Sequence, residues 1–216
     1  MKITRLTRQT RNLDRVNVFI DGSYALSLDV AQIIDLGVKV GKELDDDERA
    51  QLEEQSQFGK VYARTLEYAL VRPRSIKELR EYLYKKTMQR MVISKKTGQK
   101  YMRPGVPVGI TDLVLDRLIQ KGYVDDTRFA QWWVQTRNLR KGSSLRRLRN
   151  ELMTKGVEKT IIDETLQESE RSDAEEIQKL IQKKQSKYQD RDKLVAYLAR
   201  QGFSYDDIRS ALDSVE

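Results

Sequence analysis

The 216-residue chain has no cysteine, no histidine, three prolines, two tryptophans and four phenylalanines. Without Cys or His there is no disulfide framework, no ordinary zinc site, no thiol nucleophile and no Ser-His-Asp triad. Carboxylates, lysines and tyrosines remain available for catalysis, but the commonest general base is missing. No apolar run approaches the roughly 18 residues that a membrane span needs. The N-terminal MKITRLTRQTRNLDR is basic but lacks the apolar stretch of a signal peptide. A cytoplasmic protein with no membrane association is expected. Pro73, Pro104 and Pro107 are the only prolines, which leaves the second half free to be nearly all helix.

Charge is plentiful and unevenly placed. The chain carries 41 basic and 33 acidic residues, a formal net charge of +8. Residues 1–55 hold 8 basic and 11 acidic side chains, and residues 56–108 hold 13 and 3. Residues 109–156 hold 10 and 5, and residues 157–216 hold 10 and 14. The positive field therefore sits in the middle of the chain and points to an anionic partner.

The first segment reads as a small β element. Val16, Val18 and Ile20 alternate, Asp21-Gly22 supplies a hairpin turn, and Tyr24, Leu26 and Leu28 alternate after it. A turn reaching through Tyr24 fits equally, so the register stays open. A short helix follows from Val30 to Leu36, ending at Gly37. Asp45-Asp46-Asp47-Glu48 opens another helix, since carboxylates favour the positive end of the helix dipole. Adjacent acids on a helix do not converge on one metal ion. The nearest approach to a phosphate loop, Gly37 to Glu43, has three residues between its glycines and Glu43 where a hydroxyl must ligate magnesium, so it fails.

From about Phe58 the period is helical. Ser75-Ile76-Lys77-Glu78 is a capping box for a helix with Ile76, Leu79 and Leu83 on one face. Thr111 or Asp112 caps a helix bearing Leu115, Leu118 and Ile119 and stopping at Gly122. Asp125-Asp126 caps the next, with Phe129, Trp133 and Thr136 on one side.

Self-comparison reveals a repeat. Leu145, Leu148 and Leu152, then Gly156-Val157, Ile162 and Leu166, recur at an offset of 46 as Arg191, Leu194 and Leu198, then Gly202-Phe203, Ile208 and Leu212. Ile76, Leu79 and Leu83 match the same helix at an offset of 69. Each unit reads as three helices, led by Gly59–Leu70, 126–138 and 174–188. Such units are too small to be stable alone and should stack. The expected fold is mainly α: three tandem three-helix, helix-turn-helix-like modules in an elongated curved array, behind a small N-terminal β-hairpin and helix element. Four parts follow: residues 1–57; 58–125, with a basic insertion at 89–108; 126–170; and 171–216. Inside the insertion Met91-Val92-Ile93 and Lys100-Tyr101-Met102 are able to pair across Lys96-Thr97-Gly98.

Two cation sets stand out. Arg72, Arg74, Lys77, Arg80, Lys85 and Lys86 lie on or near one helix, and Arg140, Lys141, Arg146, Arg147 and Arg149 are their counterparts in the second module. Together they are the candidate anion-binding surface, with arginine suited to bidentate contact with phosphate or carboxylate. Arg90, Lys95, Lys96, Lys100 and Arg103 would form a mobile basic arm. Trp132, Trp133, Tyr123 and Phe129 offer base-stacking area, but Trp133 follows Phe129 at core spacing and Trp132 is more exposed by period. No acid pair stands with a base or nucleophile at persuasive spacing, so neither catalysis nor a cofactor or metal is expected.

DRLIQKGYVDDTRFAQWWVQTR (116–137) and KGSSLRRLRNELMTKGV (141–157) resemble the RecX family, bacterial regulators of the RecA recombinase. SIKELREYLYKK and the terminal LARQGFSYDDIRSALD follow the same scheme, and IDGSYALSLD with LGVKVGKEL resembles the leader of longer members. The Trp132-Trp133 pair departs from the family, which often has a smaller residue before the aromatic. The resemblance implies a non-enzymatic, monomeric protein of three helix-turn-helix-like modules that binds the RecA–DNA filament. It would inhibit strand exchange, ATP hydrolysis and coprotease activity, with consequences for DNA repair, recombination and the SOS response. It also implies contact with single- or double-stranded DNA, direct or through RecA. The alternative is a sequence-specific duplex binder of helix-turn-helix type. Its recognition helices would present Glu158, Lys159 and Thr160, or Tyr205, Asp206 and Asp207, and acids there oppose phosphate approach.

Overall fold

The computed structural model describes residues 1–10, 12–94, 97–137, 142–184 and 186–214. The chain forms two compact units, Met1–Val71 with Arg80–Tyr123, and Arg72–Leu79 with Val124–Glu216.

In the first unit, β1 (Ile3–Arg8), β2 (Arg15–Ile20) and β3 (Ser23–Asp29) form an antiparallel sheet in that order. The Asp21-Gly22 turn joins β2 to β3, with both residues at positive φ. Val16 pairs with Leu28 and Val18 with Leu26, after which the register shifts to Phe19 with Tyr24. The shift leaves Ala25 as an extra residue and settles the register that alternation left open. The third strand, β1, was not expected. Its only fully buried side chain is Ile3, so it carries no two-residue apolar period to read. Ile3, Val18, Leu26 and Leu28 form a core with Val38, Leu44 and Leu52.

Helix α1 (Val30–Asp35) opens with a capping box between Asp29 and Gln32. Helix α2 (Asp46–Leu70) opens with another between Asp45 and Glu48. It is unbroken through residues 57 and 58, where a boundary was expected, so the acidic-capped helix and the Gly59–Leu70 helix are one element. Gly59 is not a helix start. It lets the α2 backbone approach Gln32, whose amide oxygen would lie 2.8 Å from an added Cβ. The Ser56 hydroxyl donates to the Ser27 carbonyl at 2.7 Å, tying α2 to the sheet.

Helix α3 (Ile76–Thr87) belongs to both units, which divide between Leu79 and Arg80. The insertion contains a hairpin of β4 (Arg90–Ile93) and β5 (Lys100–Arg103), pairing Met91 with Met102 and Val92 with Tyr101. Helix α4 (Val108–Gln120) has Pro107 at its N-cap, four residues before Thr111 and five before Asp112, the expected caps, and has no side-chain cap hydrogen bond. The Pro107 carbonyl accepts the first bonds of the helix, from the Ile110 and Thr111 amides at 3.1 and 3.4 Å. Buried Ile110, Val114 and Leu118 line one face of α4.

The second unit continues with α5 (Asp126–Thr136), α6 (Leu145–Thr154), α7 (Lys159–Glu168), α8 (Asp173–Lys184), α9 (Arg191–Arg200) and α10 (Tyr205–Asp213). Phe129, Leu148, Leu152, Ile162 and Leu166 form one core. Ile177, Leu194, Leu198, Phe203, Ile208 and Leu212 form its counterpart. The positions matched by the 46-residue repeat thus occupy equivalent places in two three-helix bundles. Fully burying each large apolar side chain contributes about 1.5–3 kcal/mol.

Candidate functional site

The two bundles and the first turns of α3 share one type of joint. The Ser75 hydroxyl accepts from the Glu78 amide at 3.1 Å and donates to the Lys155 carbonyl at 2.8 Å. The Ile76 amide donates to Asp126 Oδ1 at 2.8 Å. One module on, the Ser144 hydroxyl accepts from the Arg147 amide at 3.1 Å and donates to the Gln201 carbonyl at 3.3 Å. The Leu145 amide donates to Asp173 Oδ1 at 2.8 Å. Each joint therefore takes a helix N-terminus, gives its exposed amides an acid from the following module's first helix, and seats its serine on the end of that module's second helix.

Gly156 and Gly202 complete the joints. Both have positive φ, 79° and 99°, a region that costs an L-residue about 1–2 kcal/mol. A Cβ on Gly156 would lie 2.9 Å from Lys77 Cβ, and one on Gly202 would strike the Ser144 hydroxyl. The absence of a side chain thus serves both the helix ending and the close approach of the neighbouring module.

Many of the predicted surface cations are committed to internal contacts. The Ser75–Glu78 capping box is one-sided: Glu78 pairs with Arg72 at 3.0 Å and Lys155 at 2.7 Å. Burial alone would raise the Glu78 carboxyl pKa, but hydrogen bonds from Arg72 and Lys155 outweigh it and hold the pKa below its ordinary value. Lys77 donates to the Thr154 carbonyl at 2.9 Å, at the negative end of α6. Arg147 contacts Glu151 at 3.4 Å and the Gln201 side chain at 3.0 Å, and Arg149 pairs with Asp163. Arg74 is half-buried, whereas Arg146 is exposed on α6. Arg140 and Lys141 lie outside the described residues, as do Lys95 and Lys96.

In the first unit Arg80 and Lys85 are exposed, and Lys86 lies 4.3 Å from the Tyr82 ring centre. Lys85, Lys86, Arg90 and Arg103 gather around one cavity, whereas Lys100 is exposed on β5 outside its lining. The cavity also recruits Lys60 and Arg64 from α2. Sequence reasoning missed these two because they belong to a different helix from the cations they join. Of the arm's cations, Arg90, Lys100 and Arg103 thus sit on a paired hairpin, and Arg90 and Arg103 at its base are part of a cavity wall.

The tryptophans are not open stacking platforms. Both are half-buried, rather than Trp133 being the buried member and Trp132 the open one. The Trp133 indole N–H donates to Glu151 at 3.0 Å, and Arg137 and Lys155 approach its ring to 4.8 and 5.4 Å. Arg72 lies 5.2 Å from the Trp132 ring centre. Phe129 is fully buried and Tyr123 is exposed. Burial raises the Glu151 carboxyl pKa, but hydrogen bonds from Arg137, Trp133 and Arg147 leave it below its ordinary value. Among the described residues no cluster of acids is arranged to hold a metal, and no helix is long and apolar enough to cross a membrane.

Two three-helix bundles joined by a serine–acid–glycine contact, which α3 repeats with the first of them, define a tandem-module protein. Residues 1–45 match the regulatory protein RecX N-terminal domain, 125–166 the RecX second three-helix domain and 174–212 the RecX third three-helix domain. The regulatory protein RecX of Bacillus subtilis (strain 168) is 30% identical over 221 residues, spanning 99% of this chain and 77% of that protein. Its counterpart in Caldanaerobacter subterraneus subsp. tengcongensis is 26% identical over 215 residues and 99% of each chain. The chain belongs to the RecX family. A crystal structure of regulatory protein RecX shares the fold, with a TM-score of 0.71 at 23% identity over 98% of each chain. A RecX structure from Lactobacillus salivarius overlaps at a TM-score of 0.55 and 20% identity, covering 73% of this chain and 96% of that one.

Proposed function

We propose that this chain is a non-catalytic regulator that binds the RecA–DNA filament and restrains RecA's ATP hydrolysis and recombinase activity, modulating DNA repair and recombination. The observation that carries the reading is its RecX family membership, with similarity over 99% of its length. The repeated joint supports it. Modules held in fixed succession are suited to bridging successive subunits of a polymer, and a bridge opposes the rearrangements that ATP turnover requires. The mid-chain positive field supports contact with DNA phosphates or acidic RecA side chains. Arg80, Lys85 and Arg146, exposed as they are, are better placed for this than Arg72, Lys77, Arg147 or Arg149. The protein acts in the cytoplasm as a monomer of an N-terminal element and three modules.

Sequence-specific duplex reading is disfavoured by α10, whose first turn carries Asp206 and Asp207, since like charge opposes entry into a groove. The experiment is RecA ATPase on single-stranded DNA with stoichiometric amounts of this chain. Turnover is expected to fall. Unchanged turnover overturns the reading.

A further inference from the structure

A cavity of about 310 Å³ lies between the middle of α2, the end of α3 and the base of the β4–β5 hairpin. Its charged lining is of one sign: Lys60, Arg64, Lys85, Lys86, Arg90 and Arg103, with no carboxylate. Lys85 and Lys86 have a local reason to be there, because cations suit the last turn of a helix. That reason does not reach the other four. Arg90 and Arg103 are paired directly across the two strands, and like charges in that relation are destabilising. Among the described residues, none of Lys60, Arg64, Lys85, Arg90 or Arg103 forms an ion pair. Lys60 is half-buried; burial, then Arg15, Arg103 and Arg64, push its pKa down. Mutually repelling cations are thus gathered around the cavity, and no carboxylate stands among its lining residues.

The wall that gathers them is firmly seated. The Val106 amide donates to the Lys86 carbonyl at 2.9 Å, and a Cβ on Gly105 would collide with the Thr87 carbonyl. This contact returns β5 to the end of α3 and brings Arg103 to Arg90. Buried Val61 supplies an apolar floor, which strengthens attraction by excluding water.

We propose that this cavity binds a phosphate-bearing anion, supplied either by the backbone of a single nucleic-acid strand or by the polyphosphate of a free nucleotide. A single carboxylate neutralises one charge, whereas phosphates offer several oxygens to converging guanidinium and ammonium donors. The nucleic-acid arm of this inference rests on the DNA contact of the proposed function, and filament inhibition is read by a different assay, so the two can fail separately.

The test is calorimetric titration of the full chain with sodium pyrophosphate, and with an oligothymidylate of about 12 nucleotides. Both are repeated on Lys60→Gln/Arg64→Gln and on Lys100→Gln, whose site on β5 does not line the cavity. Pyrophosphate is expected to bind the native chain and raise its melting temperature. The double variant should weaken binding at least tenfold, about 1.4 kcal/mol, and Lys100→Gln should not. Displacement of pyrophosphate by the oligonucleotide assigns the site to a nucleic-acid strand; pyrophosphate binding that the oligonucleotide does not displace assigns it to free polyphosphate. If circular dichroism shows the double variant misfolded, Arg103→Gln on the exposed hairpin carries the same expectation. No binding at about 10 mM pyrophosphate, or undiminished binding in the folded variants, overturns the proposal.

Discussion

The Ser75 hydroxyl donates to the Lys155 carbonyl at 2.8 Å, fastening the start of α3 to the end of α6. The same bond runs from Ser144 to Gln201. At each joint a glycine follows the accepting residue, and the preceding module's side chains occupy the space where its Cβ would be. Gly122 ends α4 at a φ of 69° with nothing within 4 Å of an added Cβ, so it isolates the backbone cost from the contact cost. Gly122→Ala should lose about 1–2 kcal/mol from the left-handed backbone alone. Gly202→Ala should lose a further 1–3 kcal/mol or so through overpacking against Ser144 and Arg147. Urea unfolding of the two variants measures the difference. Equal losses would mean that the joint yields to an added methyl group.

Glu78 bridges Arg72 and Lys155, and Glu151 bridges Trp133, Arg137 and Arg147. Both carboxyls have folded-state pKa values below the ordinary 4.5. A depressed acid contributes stability that is present above its unfolded pKa and is lost as pH falls through the folded value. Stability should therefore drop as pH falls below about 4.5. Asp173 acts in the opposite sense. Burial, with Asp207 and Glu176, raises its pKa despite the bond from the Leu145 amide, so protonation there relieves a penalty. Glu78→Gln should cost about 2 kcal/mol at neutral pH, the scale of a hydrogen bond to a charged group, and flatten the acid limb. Melting temperatures across pH 3–7 decide it; an unchanged acid limb in the variant excludes Glu78 as a contributor.

Much of the second unit was legible in the sequence. In α6 and α9 the apolar face and the glycine that follows agree with the structure, and in α10 the apolar face does. The joints were not. Asp126 reads as part of an Asp125-Asp126 cap, yet Asp125 alone caps α5 while Asp126 serves the Ile76 amide. That partner lies 50 residues away, beyond any local pattern. Basic character was equally legible, but its use was not. An arginine that pairs with Glu151 and one facing solvent have the same letter, and helical spacing shows a face without showing what covers it. Lys60 and Arg64 escaped notice because a cavity collects residues from separate elements.

The division between committed and exposed arginines separates binding from stability. Arg146→Gln should leave unfolding nearly unchanged and weaken RecA inhibition roughly fivefold, the ~1 kcal/mol of one exposed ion pair. Arg147→Glu should instead lower stability, since it sets a carboxylate beside Glu151 and abandons Gln201. Parallel ATPase titrations and urea melts distinguish the two outcomes. Full inhibition by the Arg146 variant would remove that residue from the interface.

Arg90 offers a way to supply the cavity's missing negative charge from the chain itself. R90E places a carboxylate directly across from Arg103, replacing a repulsive cross-strand pair with an attractive one worth about 0.2–1 kcal/mol. It also adds a permanent anion to the cavity that Lys60 and Arg64 line. The variant should melt slightly higher than the native chain in phosphate-free buffer and gain nothing further from pyrophosphate. Added pyrophosphate should bring the native chain toward the variant's melting temperature. A lower melting temperature for R90E without pyrophosphate would show that repulsion among these cations is already relieved in the free protein.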